Sequence, residues 1–565
     1  MRSLPLSKPI VFIACLTLFG GVAFAGHHPK IARDLEGVAP DAKVDVIVQF
    51  TSTPGPQHHQ KVSARGGRKK ADASLVKGGI YTVPVSALQS LADDPDVAYI
   101  SPDRPVYSAL DSAEPAVNAN IAFQNGYTGK GVTIAVIDSG IMPEDDINGR
   151  IVYNETFLVN NGNDYFDRYG HGTHVAAIAG GNATDSTGAS YSRTFRGIAP
   201  GAQLVNLRVL DLNGQGTDSG VIAAIQRAIS LKSTYNIKII NLSLGRPVFE
   251  SYKVDPLCQA VESAWKAGIV VVVAAGNEGR NNSQGTNGYG TIMAPGNDPY
   301  VITVGAMKDM GTASRADDLI ASYSSKGPTL IDHVVKPDLV APGNKIIAAL
   351  PAGLALTNTY QSNKPLLTYY MVNGNAGAST TYFTLSGTSM ATPMVSGAAA
   401  LMLQKDPTLT PEQVKARLMK TATKDFPSFS IATDPVTGTQ YTTQYDIFAV
   451  GAGYLDVWAA LNNTDVPTSG KTTLSPTASY HSTDGKVYVV FGGNALWGSN
   501  ALWGSNALWG SSVLLSGSNA LWGSNALWGS STLGGFNALW GSNALWGSSS
   551  QTAAEAINVL VQGEN

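Results

Sequence analysis

The stretch Val132-Thr133-Ile134-Ala135-Val136-Ile137-Asp138-Ser139-Gly140 sets the reading of most of this 565-residue chain. It reads as a buried β-strand that delivers a carboxylate, Asp138, at its C-terminal end. Further strands are expected at Leu204–Leu210, Ile237–Leu244, Ile269–Ala274 and Tyr300–Met307, with helical stretches such as Ser219–Lys232 and Pro256–Lys266 between them. Strands alternating with helices argue for an α/β domain, a mainly parallel sheet with helices on both faces. Sites in such sheets lie at the carboxyl ends of strands. Asp138 falls at one such end. Asn277 falls at another, where Ile269-Val270-Val271-Val272-Val273-Ala274-Ala275-Gly276-Asn277-Glu278-Gly279 leaves its apolar run.

Two helix starts supply the rest of a chemistry. Gly170-His171-Gly172-Thr173-His174-Val175-Ala176 opens a small-residue helix with an imidazole in its first turn. Gly387-Thr388-Ser389-Met390-Ala391-Thr392-Pro393 places a serine just before the apolar helical run Met394, Val395, Ala398, Ala399, Leu401, Met402, Leu403. A serine hydroxyl is a weak nucleophile near neutral pH and needs a base; histidine titrates in the useful range. The histidine in turn needs a buried carboxylate that fixes its tautomer and stabilises the imidazolium. An asparagine amide can donate a hydrogen bond to a tetrahedral oxyanion. Taken singly, these residues are a turn aspartate, a core histidine, a helix cap and a turn asparagine. Taken together, with Asp, His and Ser in that chain order, they form a catalytic set. His174, three residues after His171, reads as a supporting core histidine, since no further Cys, His or Glu cluster accompanies it to suggest a metal.

The four segments resemble those of the subtilisin-like serine endopeptidases, the subtilase family, over roughly residues 120–462 judged by motif placement. The resemblance implies a subtilisin-like three-layer core with Asp138 as triad aspartate, His171 as base, Ser389 as nucleophile and Asn277 as oxyanion donor. It implies protein and peptide substrates and no cofactor required for the chemistry. Ser243, Leu244 and Gly245, ending Ile240-Asn241-Leu242-Ser243-Leu244-Gly245, match one wall of the pocket for the residue before the scissile bond. Gly214 and Gly216, in Asn213-Gly214-Gln215-Gly216, match the opposite backbone wall, so that an extended peptide is clamped by strand addition. No acidic residue stands in Ser243–Gly245 or Ala274–Asn277, so a basic preference is not indicated. A broad apolar or aromatic preference is expected, with the pocket floor near Ile292 and Met293. The family often carries structural calcium. The oxygen-rich loop Gly181–Gly188, joined by Asp145 or Asp146, is a candidate site, since such loops suit calcium.

The flanks divide further. Residues 1–25 read as a secretory signal: Arg2 and Lys8, an apolar Ile10–Phe24, then Ala23-Phe24-Ala25 as a cleavage site. Removal of the signal takes Cys15 away and leaves Cys258 alone, so no internal disulfide is expected in the mature chain. At helical spacing with Trp265, Cys258 reads as a small buried hydrophobe. Residues 26–110 show strands at Val44–Phe50, Gly79–Val85 and Val97–Asp103 and a helix at Val85–Asp93. This small α+β unit resembles the family's inhibitory propeptide, which implies an intramolecular inhibitor cut away between about Tyr107 and Asn118, with Tyr107 and Leu110 attractive positions before the cut. The basic stretch Gln57–Lys70 within it reads as a solvated loop. The peptidase domain is expected over 111–462, a linker over 463–493, and a terminal tail over 549–565.

Between linker and tail, residues 494–548 carry Asn-Ala-Leu-Trp-Gly seven times, with a period of six within runs. No charged residue occurs from Asn494 to Ala554. An even period puts every Leu on one face of an extended strand and every Trp on the other. The segment is compatible with a β-solenoid, a stacked sheet or a low-complexity tail. Exposed Trp at this density favours self-association, carbohydrate or cell-envelope contact. A formal net charge of −3 gives the chain no nucleic-acid footprint. Two function classes stay in view: a secreted, self-inhibited endopeptidase, and a repeat-bearing adhesion protein with a silent protease core. The intact Asp138, His171, Asn277 and Ser389 favour the first.

Overall fold

A computed structural model describes residues 28–32, 35, 38–73, 77–102, 110–159, 162–283, 285–434, 437–465, 472–481, 486–490, 513–516 and 551–564. The signal segment, Tyr107 and all but four residues of the repeat region lie outside the described residues. The chain forms two compact units, Met1–Val106 and Tyr107–Asn565.

In the first unit, strands β1 (Lys43–Phe50), β2 (Arg68–Ala73), β3 (Gly78–Pro84) and β4 (Val97–Pro102) form one antiparallel sheet in the order β2-β3-β1-β4. Helices α1 (Pro56–Ala64) and α2 (Leu88–Ala92) accompany it. The alternating Val46, Val48 and Phe50 of β1 point into a core with Val62, Tyr81, Val83, Leu88, Leu91 and Ile100. The basic stretch is not a loop, as its composition suggested, but α1 and the edge strand β2. It escapes sequence patterning because α1 buries only Val62 and no residue of β2 is buried. Its charges are paired instead: Lys61 with Asp94 and Asp96, Arg65 with Asp94, Lys70 with Asp45.

In the second unit the central sheet runs β11-β10-β9-β8-β5-β7-β6, with β12 also paired to β10. The strands are β5 (Thr133–Asp138), β6 (Ile151–Thr156), β7 (Gln203–Arg208), β8 (Ile237–Leu242), β9 (Val270–Ala274), β10 (Ile302–Lys308), β11 (Leu319–Ile320) and β12 (Leu339–Pro342). Every pairing is parallel except β10 with β11. All residues of β5, β9 and β10 are buried. A strand buried on both sides requires cover on both faces. Helices α3 (His171–Gly180) and α6 (Thr388–Lys405) pack on each other and on the sheet; α4 (Asp218–Tyr235) and α5 (Pro256–Lys266) form a second packed pair. Helix α5 shows the local logic. Asp255 caps it by accepting from Leu257 N at 2.9 Å, Pro256 opens it, and Leu257, Cys258, Val261, Ala264 and Trp265 form its buried stripe. This is the α/β arrangement with a mainly parallel sheet that the strand pattern implied.

The stretch expected as a linker, 463–493, contributes packed structure. Ser475 is buried, accepts from Lys415 Nζ at 2.9 Å and donates to Asp338 Oδ1 at 2.6 Å. Strands Thr477–His481 and Lys486–Val490 pair antiparallel beyond it. Each strand is only five residues long, too short a run to be told from a spacer by its period.

Candidate active site

Strands β9, β8 and β5 are adjacent and parallel, so their carboxyl ends lie side by side. Asn277 follows the first, Ser243 the second, and Asp138 ends the third. His171 opens α3, Ser389 lies in the first turn of α6, and the two helices pack on each other.

Asp138 and His171 are both buried, and Asp138 Oδ1 lies 2.7 Å from His171 Nδ1. The approach is close because Gly172 lets α3 sit against the end of β5: a Cβ there would meet Gly140 O at 2.3 Å. Ser139 N also donates to Asp138 Oδ1, at 2.7 Å. Burial alone would lower the His171 pKa. The Asp138 charge and hydrogen bond, helped by Asp167, outweigh it and hold the imidazole above its ordinary value. His174 is the opposite case. It is fully buried, its Nε2 lies 3.0 Å from Phe383 O, and burial pushes it down to about 3, a neutral core histidine.

Asp167 is a residue that sequence reading missed. It is buried and accepts from Ser139 Oγ (2.9 Å), Gly170 N (2.7 Å), Thr173 N (2.9 Å) and Thr173 Oγ1 (2.7 Å). A carboxylate at the start of α3 suits the helix dipole and its unpaired N–H groups. Through these bonds Asp167 ties the His171 helix to the strand end that carries Asp138. The signal was present in Asp167-x-x-Gly170-His171-Gly172-Thr173, but an aspartate before a helix is too common to single out.

Asn277 is oriented by the nucleophile helix. Its Oδ1 accepts from Thr388 N at 2.9 Å and Thr388 Oγ1 at 3.1 Å, so the amide oxygen caps α6 and the NH2 is left to face elsewhere. Gly387 is required beside it: its φ is +143° and a Cβ would lie 3.1 Å from Asn277 Nδ2. Ser389 and Ser243 are linked twice. Ser389 Oγ donates to Ser243 O at 3.2 Å, and Ser243 Oγ donates to Ser389 O at 2.8 Å. The second bond has a covalent cause. Pro393, four residues on within α6, has no N–H to give the Ser389 carbonyl, so the side chain just past β8 supplies the donor. Asn241 and Ser396 extend the chain: Ser396 Oγ donates to Asn241 Oδ1 at 2.7 Å and Asn241 Nδ2 to Ser243 Oγ at 3.0 Å. Ser243→Ala therefore leaves a helix carbonyl without its donor. A loss of ~1–3 kcal/mol is expected in denaturant unfolding, measured in an inactive background to prevent self-digestion; an unchanged midpoint would refute this account of the bond.

Met293 lies beside Gly245 and Gly276, where added Cβ atoms would meet its side chain at 3.1 and 2.8 Å. The neighbouring Arg246 and Ala294 exchange backbone hydrogen bonds of 3.0 and 2.8 Å. Leu244 is half-buried against the core. Gly214, at φ +74°, packs on Tyr169, where a Cβ would lie 2.7 Å from the ring; Gly216 follows in the same loop. Away from the cleft, Glu144, Asp146 and Asp185 converge, with their carboxylate oxygens within 4.8 Å of one another. Of the residues expected at a calcium loop, this cluster includes Asp185 and Asp146 but not Asp145, and it adds Glu144.

The subtilase family model matches residues 129–453. Serine protease AprX of Bacillus subtilis is 39% identical over 394 residues, covering 67% of this chain and 83% of that protein. Subtilisin E of the same organism is 35% identical over 432 residues, 75% of this chain and 95% of that protein. The extracellular serine proteinase of a Thermus strain is 33% identical over 366 residues, 63% of this chain and 73% of that protein. With the parallel sheet and the cleft at its carboxyl edge, these matches show that the chain belongs to the subtilase family and is a serine-type endopeptidase.

Proposed function

We propose that Ser389, His171 and Asp138 form the catalytic triad of this endopeptidase, with Asn277 as oxyanion donor. The observation that carries the reading is the buried 2.7 Å His171–Asp138 contact. Ser389 Oγ donates to Ser243 O. For the reaction it has to leave that carbonyl and hydrogen-bond His171 Nε2. The oxygen then attacks the substrate carbonyl while Nε2 takes its proton, and Asp138 stabilises the imidazolium. Asn277 Nδ2 donates to the oxyanion of the tetrahedral intermediate. Collapse expels the amine with the proton from His171, and water, activated by the same histidine, hydrolyses the acyl-enzyme. A sulfonyl fluoride supplies a direct test. Its adduct should map by mass spectrometry to Ser389 at one per chain; an active enzyme labelled elsewhere, or not at all, removes Ser389 from the role.

Ser243, Leu244 and Gly245 form one wall for the residue before the scissile bond, and Gly214 and Gly216 flank the substrate on the other side. An apolar or aromatic residue is accepted there, with depth limited by Met293. Met293→Gly should therefore raise kcat/KM for a Phe substrate relative to an Ala substrate by about tenfold, the value of one or two buried methylenes. An unchanged ratio places the floor elsewhere.

The chemistry requires no cofactor. The Glu144, Asp146 and Asp185 cluster is a fit for structural calcium on two counts: an all-oxygen donor set, and a buried Glu144 Oε1 without a hydrogen-bond partner. Burial, with Asp146 nearby, pushes Glu144 up to about 8. Folded Glu144 thus holds its proton where the unfolded chain has lost it, and stability falls as pH rises from the ordinary carboxylate range toward 8. A bound divalent cation favours the carboxylate and offsets that loss. Calcium at a hundred times its Kd should add about 2.7 kcal/mol of stability over EDTA, more at pH 8 than at pH 5. Identical thermal inactivation in both media would exclude the site.

Residues 26–110 are proposed as an intramolecular inhibitor removed by self-processing, and residues 1–25 as a secretory signal. What supports this is a separately folded α+β unit ahead of the peptidase and a relative named as extracellular. No helix among the described residues is long and apolar enough to cross a membrane. The Trp-rich repeats are proposed as a surface-retention or self-association element.

A further inference from the structure

Residues Val559–Glu564 pack into the peptidase unit. Helix Gln551–Gln562 buries Val559 and Leu560, and Glu564 beyond it is 1% exposed. The Glu564 carboxylate meets Arg280 Nη2 at 2.6 Å and Lys308 Nζ at 3.3 Å, and it accepts from Ser322 N at 2.9 Å and from Ser322 Oγ. Asn344 reads its main chain in both directions: Glu564 N donates to Asn344 Oδ1 at 2.8 Å, and Asn344 Nδ2 donates to Glu564 O at 2.9 Å. Ser386 N donates to Leu560 O at 2.8 Å. Gly563 fits where no other residue would, at φ +59° and with a Cβ position 2.4 Å from Ser386 Oγ.

These partners come from five separate places in the fold: Arg280 after β9, Lys308 ending β10, Ser322 after β11, Asn344 after β12, and Ser386 immediately before Gly387. The Arg280, Lys308 and Ser322 donors converge on one carboxylate, while Asn344 and Ser386 donate to main-chain carbonyls, and all five residues lie within the span 129–453 that the family model matches. Upstream of the repeats the chain is held as firmly, through Ser475 and through Ala478 N donating to His333 O at 2.7 Å. Within the repeat region itself, Val513–Ser516 pairs parallel with Lys486–Val490.

We propose that the peptidase domain carries a built receptor for an acidic C-terminal peptide, whose ligand is its own Val559–Glu564. A cut just ahead of Gln551 then leaves the C-terminal segment bound as a second, non-covalent chain. Glu564 supplies the anion that the Arg280–Lys308 socket recognises. Gly563 and Asn344 set the backbone register, and the apolar Val559 and Leu560 supply contact area. The inference does not depend on the catalytic assignment, and its test uses a chain that cannot cut itself.

In full-length Ser389→Ala protein, a recognition site for a specific protease is inserted between Ser549 and Gln551, and the protein is cut there. The C-terminal fragment should co-elute with the domain on gel filtration at one per chain. It should be released, with at least a tenfold weaker hold, when Glu564→Gln or Gly563→Val is present, and it should stay with the exposed Gln562→Ala. A synthetic peptide of residues 551–565 should exchange with the bound fragment, and the same peptide carrying E564Q should not. The peptide arm keeps the test valid where a variant chain folds poorly. Release of the unaltered fragment after the cut overturns the proposal, and so does retention or exchange that ignores Glu564.

Discussion

Ser389→Ala is expected to abolish hydrolysis of casein by the purified protein and, in the precursor, to prevent appearance of new termini between Tyr107 and Asn118. Removal of the hydroxyl deletes the bond-forming atom, and no other hydroxyl occupies its place. Ser243 Oγ is the closest candidate, but it is committed to Ser389 O at 2.8 Å and accepts from Asn241. The loss in kcat should be on the order of 10⁶, the scale known for the nucleophile of subtilisin, a member of the same family. A remnant of ~10³–10⁴ over the uncatalysed rate should survive through binding and Asn277. The backbone of α6 does not depend on the hydroxyl, so the variant should fold and its precursor should persist uncut. If the variant still cleaves casein at a rate within tenfold of the parent, or releases the same termini, the nucleophile is some other group. The same comparison tests the propeptide reading separately, since an active enzyme whose precursor is never cut would retain the protease and remove the zymogen.

Asp138→Asn should cost about 10⁴ in kcat while leaving KM nearly unchanged. The cause is the tautomer. The carboxylate accepts from His171 Nδ1 at 2.7 Å, which leaves Nε2 unprotonated and able to take the serine proton. An asparagine can turn its NH2 toward Nδ1, moving the imidazole proton to Nε2, where it blocks the base. The pH profile gives a second readout. His171 must be neutral to act, and the Asp138 charge and hydrogen bond, with Asp167, outweigh burial and hold its pKa above the ordinary 6.5. The parent should therefore lose kcat/KM as pH falls through a value above 6.5. In the variant the raising influence of Asp138 is gone, burial remains, and the acid limb should move to lower pH. An acid limb that stays in place, or a kcat loss below tenfold, would falsify the role given to Asp138.

Much of this was legible in the linear chain because the chemistry sits in contiguous segments at element ends. Asp138 ends a six-residue apolar strand, Asn277 follows another, and His171 and Ser389 open helices of small residues; each is marked by a local change of period. Strand–helix alternation gave the parallel sheet, and the helical stretch expected at Pro256–Lys266 is α5 to the residue. The readings that failed or were missed lack such a period. The basic stretch Gln57–Lys70 is an α-helix and an edge strand whose side chains find acidic partners distant in sequence. Asp167 is one ordinary loop aspartate until five donors from two segments surround it.

The sequence by itself determined the family, the layered α/β core and which residue types stand at the carboxyl edge of the sheet, because backbone period and short motifs are local properties. The tertiary structure alone decided how those residues are aimed. The turn of Asn277 toward Thr388 comes from a contact made 111 residues along the chain, and that of Ser243 toward the Ser389 carbonyl from one made 146 residues along it. The seat of Glu564 among Arg280, Lys308, Ser322 and Asn344 is of the same kind. A side chain's orientation is set by the partner that satisfies its hydrogen bonds, and no residue's own sequence window contains a partner so far away.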